Sequence, residues 1–501
     1  MPRVVSFVRV QWPVIAITAA FTGLMLAFAG QYGLHRDEMY FIVAGRHPDF
    51  GYMDQPPLTP VLSALSSAVF GVSALGVRIL PTIVYAAVVL LGVLQARQFG
   101  GGRLAQALTA LGIAGSGWIA VAHLDSTETY DILGWTVFLV LAVRALRGGN
   151  SRLWLAAGIA AGIDLQNKNL ILFLAVGFAA GILLARRWDV LRDRWVWIGA
   201  AAAFLIWLPN VVWQAQNGWP QLEMARVIAD QSGAENRSQL ILIQVLFAGP
   251  FLIPVFLAGL WWLLRSNDAA AWRPIGWAYP VVLLVLFATE GKSYYAGGLI
   301  PTIIAAGCVV AARWLERGRR WVRGIKATAY TIATAASVFL IVVLALPIVP
   351  AAQFPTSSEA KVNSDAVSEY GWPSFDAQVA AVVDTLSSAD RRHAFILTGN
   401  YGEAGALQLL GSPDLPPVYS GQNSYWSWGP PDDARTIGIV IDGWDGAGAY
   451  FSPYLGACRL MAKIDLGFPS GISEEQGAGI WICRDRTLPW SEIWPLFKHL
   501  S

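Results

Sequence analysis

The sequence predicts a polytopic α-helical membrane protein with a small α/β domain at its C-terminal end. Three observations predict it. The chain of 501 residues is 55% hydrophobic and 14% charged, whereas an ordinary soluble domain carries about 25% charged residues. Its mean hydropathy is +0.50, and its apolar residues come in runs of roughly 20, the length that spans a bilayer. Beyond residue 350 the runs stop, and short apolar strands alternate with turn signals. The formal net charge of +2 is too small for a nucleic-acid partner.

The elements follow in order. The first apolar run begins near Pro13 and ends at Gly30, after Arg3 and Arg9. It lacks a small-residue cleavage site before Gln31 and reads as a retained span. About eleven spans are expected, at 12–30, 75–96, 104–122, 129–146, 153–166, 170–185, 195–213, 239–264, 275–289, 297–312 and 327–349. The shorter apolar segment 57–71 reads as an interfacial helix or half a span. Basic residues crowd alternate loops: Arg3 and Arg9; Arg97 and Arg103; Arg144, Arg147 and Arg152; Arg186, Arg187, Arg192 and Arg194; Arg265 and Arg273; and the run from Arg313 to Lys326. The opposite loops hold only Arg36, Arg46, Lys168, Arg226, Arg237 and Lys292. The positive-inside rule puts the N-terminus in the cytoplasm, and an odd number of spans puts the C-terminal domain outside.

The expected division is a membrane domain at 1–350 and a soluble domain at 351–501, joined by a linker rich in Ala, Ser and Pro. In the soluble domain Phe375 to Leu386 has helical periodicity, and His393 to Thr398, Thr436 to Asp442 and Gly479 to Cys483 read as strands. A turn at Gly399-Asn400-Tyr401-Gly402 and a helix from Glu403 suggest an open α/β sheet. Cys458 and Cys483 both fall here, and either pair in a disulfide or stay as two free thiols. Cys308 sits inside a span and reads as packing.

With this topology the unusual polar residues gather on the outer side. Asp37 and Glu38 follow the first span in His35-Arg36-Asp37-Glu38. Acids there either favour a helix dipole or supply a general base whose pKa rises in a partly dry cleft. Asp54-Gln55-Pro56-Pro57 comes next; Asp54 either caps the following helix or is held toward a cleft by the rigid prolines. Asp125 and Glu128 are spaced to share a helix face, with Ser126 or Thr127 as an N-cap. Lys168, between Asn167 and Asn169, and Lys292 are cations at outer turns. They either snorkel to headgroups or clamp a phosphate. Tyr294 and Tyr295 either bond the same phosphate or join an aromatic belt. The five histidines show no metal-ligand spacing, and no P-loop or G-x-S-x-G elbow is present.

At these residues the sequence resembles a known group. The Asp37-Glu38 pair, the stretch Gly51-Tyr52-Met53-Asp54-Gln55-Pro56-Pro57-Leu58 and the span start Arg78-Ile79-Leu80-Pro81 look like the C-type glycosyltransferases (GT-C fold). More narrowly, they are similar to the protein O-mannosyltransferase and lipid A aminoarabinose transferase superfamily. The resemblance covers about residues 31 to 312. His123–Asp131, Asn167–Asn169, Gly291–Tyr295 and Asn400–Ala406 are similar too.

The resemblance implies an inverting membrane glycosyltransferase with a polyprenyl-phosphate sugar as donor and a glycan, lipid or protein as acceptor. It puts the catalytic aspartate on Asp37, with Glu38 beside it, and acceptor or donor pocket residues at Asp54, Gln55, Asp125 and Glu128. Lys168, Lys292, Tyr294 and Tyr295 are left for the phosphate. Gln55 stands where the aminoarabinose transferases carry lysine, so Lys168 or Lys292 is expected to supply that charge. No cofactor is obligatory; a divalent cation is left open. The implied location is the bacterial inner membrane. Two other readings compete: a carrier of a lipid-linked sugar, which needs ionisable groups deep in the bilayer, and a non-catalytic envelope protein that binds glycan.

Overall fold

The computed structural model describes residues 2–148, 150–444, 446–486 and 488–500. The chain forms two compact units. The first comprises Met1–Ala27, Gln55–Thr59 and Arg78–Leu346; the second comprises Phe28–Asp54, Pro60–Val77 and Pro347–Ser501. Two stretches near the N-terminus therefore belong with the C-terminal domain, which a single cut at residue 350 does not anticipate.

The first unit is helical. Among the described residues, six helices are long and apolar enough to cross a membrane: Ala74–Gln98, Thr127–Leu146, Arg194–Gln216, Ala270–Thr289, Ser293–Glu316 and Arg320–Ala345. Pro220–Ala248 and Pro250–Arg265 make a seventh if they are counted as one span, bent by 85°. Pro250 lacks the amide that would continue the first helix, so the apolar run at 239–264 is bent rather than straight. The run at 104–122 is also interrupted, into Arg103–Ala114 and Trp118–Ala122, at Gly115-Ser116-Gly117. Leu58–Phe70, Leu153–Leu165 and Ile171–Leu184 are apolar but shorter, and the helix Pro2–Phe28 carries the apolar stretch Trp12–Phe28. Hydropathy thus locates helices at all eleven expected places. Close packing replaces the hydrophobic effect between such helices. At Gly158 a Cβ would stand 2.0 Å from the Gly199 carbonyl oxygen, so the helices holding these glycines meet backbone to backbone.

The second unit is built on a five-stranded sheet: β1 (Ala394–Thr398), β2 (Val418–Ser420), β3 (Ile437–Asp442), β4 (Ala457–Lys463) and β5 (Gly479–Arg484). Their order is β2-β1-β3-β5-β4. β1 runs parallel to β2 and β3, while β5 runs antiparallel to β3 and β4. Alternation along β1 and β3 sends Ile396, Ile439 and Ile441 to one core with Phe354, Trp372 and Phe375. Phe395, Leu397 and Val440 go to another, with Trp490 and Trp494. Both faces are covered, as a parallel sheet requires. Tyr32, Leu34, Met39 and Ile42 join the first of these cores, which is why the N-terminal stretch belongs to this unit. Cys458 and Cys483 are paired across β4 and β5 in a disulfide.

Candidate active site

The second unit holds Asp37, Glu38 and Asp54. Asp37 and Glu38 open the helix Arg36–Arg46. His35 caps it: its ring Nδ1 accepts from the Asp37 amide at 3.1 Å. Glu38 completes a capping box by accepting from the His35 amide at 2.8 Å, and is fully buried. One of the two adjacent acids is thereby committed to the helix start. Asp37 is the other. Its Oδ1 accepts from the Tyr401 hydroxyl at 2.7 Å, yet 40% of its side chain stays open. Burial, followed by the negative charge of Asp37, pushes the Tyr401 hydroxyl well above the ordinary phenol range, so it stays protonated and donates. The Arg36 guanidinium lies 4.9 Å from the Tyr401 ring centre and pairs with Glu474 at 2.7 Å.

Tyr401 reaches Asp37 because two helices meet closely. Asn400 and Glu403 form a second capping box at the start of the helix Tyr401–Leu409. A Cβ at Gly402 would stand 2.8 Å from the Arg36 Cβ, so only glycine lets the helices approach there. Beside this contact the Tyr40 hydroxyl donates to Asp54 Oδ1 at 2.6 Å. The Tyr40 and Tyr401 rings lie 5.0 Å apart, so Asp37 and Asp54 flank one tyrosine pair. Asp54 is held by a tyrosine rather than used as a helix cap.

The first unit holds the remaining candidates. Ser126 caps the helix Thr127–Leu146 through the Thr129 amide. Glu128, in its first turn, pairs with Lys168 and accepts from the Tyr294 hydroxyl at 3.1 Å and from Thr127 Oγ1 at 2.8 Å. Lys168 also donates to Thr127 Oγ1 at 3.0 Å and lies over the Tyr295 ring. The turn that carries Lys168 is fixed by Asn167, which donates to the Thr127 carbonyl at 2.8 Å. The structure thus brings Glu128, Lys168, Tyr294 and Tyr295 together. The charge of Lys168 is already met by Glu128. Lys292 lies 5.9 Å from the Tyr294 ring centre, half-buried, with no ion pair among the described residues. Gln55 is buried, and its amide nitrogen has no hydrogen-bond partner among the described residues. Asp125 is fully buried and accepts from the Tyr130 hydroxyl. Among the described residues no group of three or more His, Cys, Asp or Glu is arranged to hold a metal ion.

Residues 54–213 match the family described as dolichyl-phosphate-mannose-protein mannosyltransferase. No curated protein matches the chain by sequence. Among solved structures, ArnT from Cupriavidus metallidurans bound to undecaprenyl phosphate superposes with a TM-score of 0.59 at 14% identity, covering 94% of this chain and 97% of that one. The same protein in its apo state gives 0.55 at 15% identity over the same shares. The arabinofuranosyltransferase AftD from Mycobacteria gives 0.52 at 14% identity, over 95% of this chain and 40% of that one. The chain therefore shares the fold of these membrane proteins, and its residues 54–213 are similar to the mannosyltransferase family.

The acids stand out in the sequence, but what holds them does not. Tyr40 and Ser424 carry no recognisable signal. Ser424 Oγ accepts from the Met53 amide at 3.0 Å, next to Asp54. The turn at Gly399-Asn400-Tyr401-Gly402 and the resemblance of Asn400–Ala406 to the C-type glycosyltransferases are the hints of Tyr401.

Proposed function

We propose that this protein is a glycosyltransferase that moves a sugar from a polyprenyl-phosphate donor to an acceptor hydroxyl, with inversion, on the extracytoplasmic face of a bacterial inner membrane. The observation that carries the reading is Asp37: an open carboxylate oriented by a protonated tyrosine. The acceptor O–H attacks the anomeric carbon. Asp37 takes its proton, the bond from that carbon to the phosphate oxygen breaks, and the lipid phosphate leaves. Attack opposite the leaving group inverts the centre. Within the first unit, Lys292 and the Gln55 amide, which has no partner among the described residues, are the groups proposed for phosphate, while Lys168, paired with Glu128, holds its own turn in shape.

A lipid-phosphate donor is supported by ArnT, whose structure contains undecaprenyl phosphate. The outer location of the soluble unit is supported by the distribution of arginine and by the Cys458–Cys483 disulfide, which belongs to an oxidising compartment. The carrier reading is disfavoured by the placement of the acids. Asp131 lies in the second turn of Thr127–Leu146, and Asp164 in the last turn of Leu153–Leu165, rather than mid-span. We propose no obligatory metal, which treatment with a chelator tests directly. The test of the chemistry is the anomeric configuration of the product read by NMR. Inversion together with loss of turnover in Asp37→Asn is expected; retention of configuration would overturn the single-displacement mechanism.

A further inference from the structure

The soluble unit carries a second cavity, separate from Asp37. The chain leaves β1 for β2 on one side, then crosses to β3 on the other. The crevice beyond the carboxyl ends of β1 and β3 is therefore a topological switch point, where open α/β sheets bind ligands. A cavity of about 370 Å³ opens there, lined by Thr398 and Gly399 from the end of β1, Asp442 from the end of β3, and Trp444, Tyr450 and His499.

The lining selects among ligands. A phosphate would need free amides at the start of the helix Tyr401–Leu409. Those amides are occupied. Glu403 Oε2 accepts from Gly399 at 3.0 Å and from Asn400 at 3.4 Å, Gln422 accepts from Tyr401 at 2.9 Å, and Asn400 accepts from Glu403 at 2.9 Å. Two carboxylates, Asp442 and Glu403, also stand at this end of the sheet. The basic side chains here are turned to other partners: the Lys498 ammonium lies 5.2 Å from the Trp426 ring centre, and the His499 ring nitrogens face the Phe497 and Gly399 carbonyls. An anion gains little here.

A hydroxyl-rich neutral ligand gains more. Asp442 Oδ1 is fixed by the Trp444 amide at 2.8 Å, which leaves acceptor capacity for hydroxyl donors. Trp444 is 59% exposed and Tyr450 is 40% exposed, with their rings 5.8 Å apart at the rim. Large aromatic rings at a polar rim offer the flat apolar surface that the C–H face of a sugar covers. The volume falls within the range of small-molecule sites. We propose that this crevice is a binding subsite for neutral sugar units of a glycan chain, distinct from the transfer site.

The test uses the purified full chain, with neutral di- and trisaccharides of hexoses and pentoses as probes, followed by saturation-transfer NMR and titration. At least one probe is expected to bind. Its affinity is expected to fall about tenfold or more in both Asp442→Asn and Tyr450→Ala, and to be unchanged in Asp37→Asn. Inorganic phosphate and ATP are expected not to compete. Asp442→Asn alters a turn, so Tyr450→Ala serves as the variant that leaves the backbone bonds intact. The proposal is overturned if no neutral probe binds, if neither variant weakens binding, if Asp37→Asn abolishes it, or if phosphate or ATP displaces the sugar. Turnover of lipid-linked donor is measured separately, so failure of this site and failure of the transfer reading give different results.

Discussion

Replacing Tyr401 by phenylalanine removes one oxygen and keeps the ring that packs against Tyr40 and beneath Arg36. The oxygen lost is the donor to Asp37 at 2.7 Å. A hydrogen bond to a charged group contributes about 1.5–3 kcal/mol, which corresponds to about 10- to 150-fold in rate if it acts only on the reacting geometry. Because 40% of the Asp37 side chain is open, water replaces part of the lost contact, and the lower end applies. The expected result is a kcat lower by about tenfold, with KM for the acceptor little changed. The assay is the steady-state release of lipid phosphate, alongside a thermal melt of the same preparation. Tyr401 is a positioning residue in this account, so its loss should move kcat far more than the melting temperature. An unchanged kcat, or a fall explained by unfolding, would refute the reasoning.

Three further outcomes follow from the same structure. Lys168→Met leaves Glu128 without its cation at a mostly buried position, and is expected to cost about 3–5 kcal/mol; adding Glu128→Gln should restore most of it, as read by thermal stability in detergent. Asp376 is 7% exposed, its carboxylate oxygens have no hydrogen-bond partner, and burial pushes its pKa from 3.8 up to about 7. The folded state thus holds the proton more tightly than the unfolded chain, and stability should fall as pH rises from about 4 to 7. Asp376→Asn should flatten that slope and gain at most about 4 kcal/mol at pH 8 in pH-dependent melts. Cys458→Ser removes a crosslink that closes a loop of 25 residues and should cost about 3 kcal/mol, with the same loss in the parent protein under reductant.

Much of the fold is legible in the sequence because it is written locally. Apolar runs mark the helices wherever the backbone stays regular, and they fail at Gly115-Ser116-Gly117 and at Gly249-Pro250, where composition stays apolar but the backbone turns. Strands β1, β3 and β5 are buried and apolar, and were found. β4 is an edge strand with mostly exposed residues, and β2 has three residues after two prolines, so neither carries a strong pattern. The site divides in the same way. Asp37 and Glu38 stand out as adjacent acids after a span. Their separate fates depend on a histidine cap, which the usual N-cap residues do not suggest, and on Tyr401, 364 residues away. Lys168 was legible as an isolated cation, but its pairing with Glu128 across 40 residues was not. Residues 28–54 join the second unit through long-range packing of Tyr32, Met39 and Ile42, which no local pattern encodes.

The central claim is that Asp37 drives sugar transfer from a lipid phosphate. Purified protein should be incubated with a panel of polyprenyl-phosphate sugars and simple acceptors, and the free polyprenyl phosphate quantified for the parent chain and for Asp37→Asn. The account predicts release from at least one donor by the parent chain, and none above background by a variant that melts at the same temperature. Equal release by both proteins, or release from no donor, would contradict it.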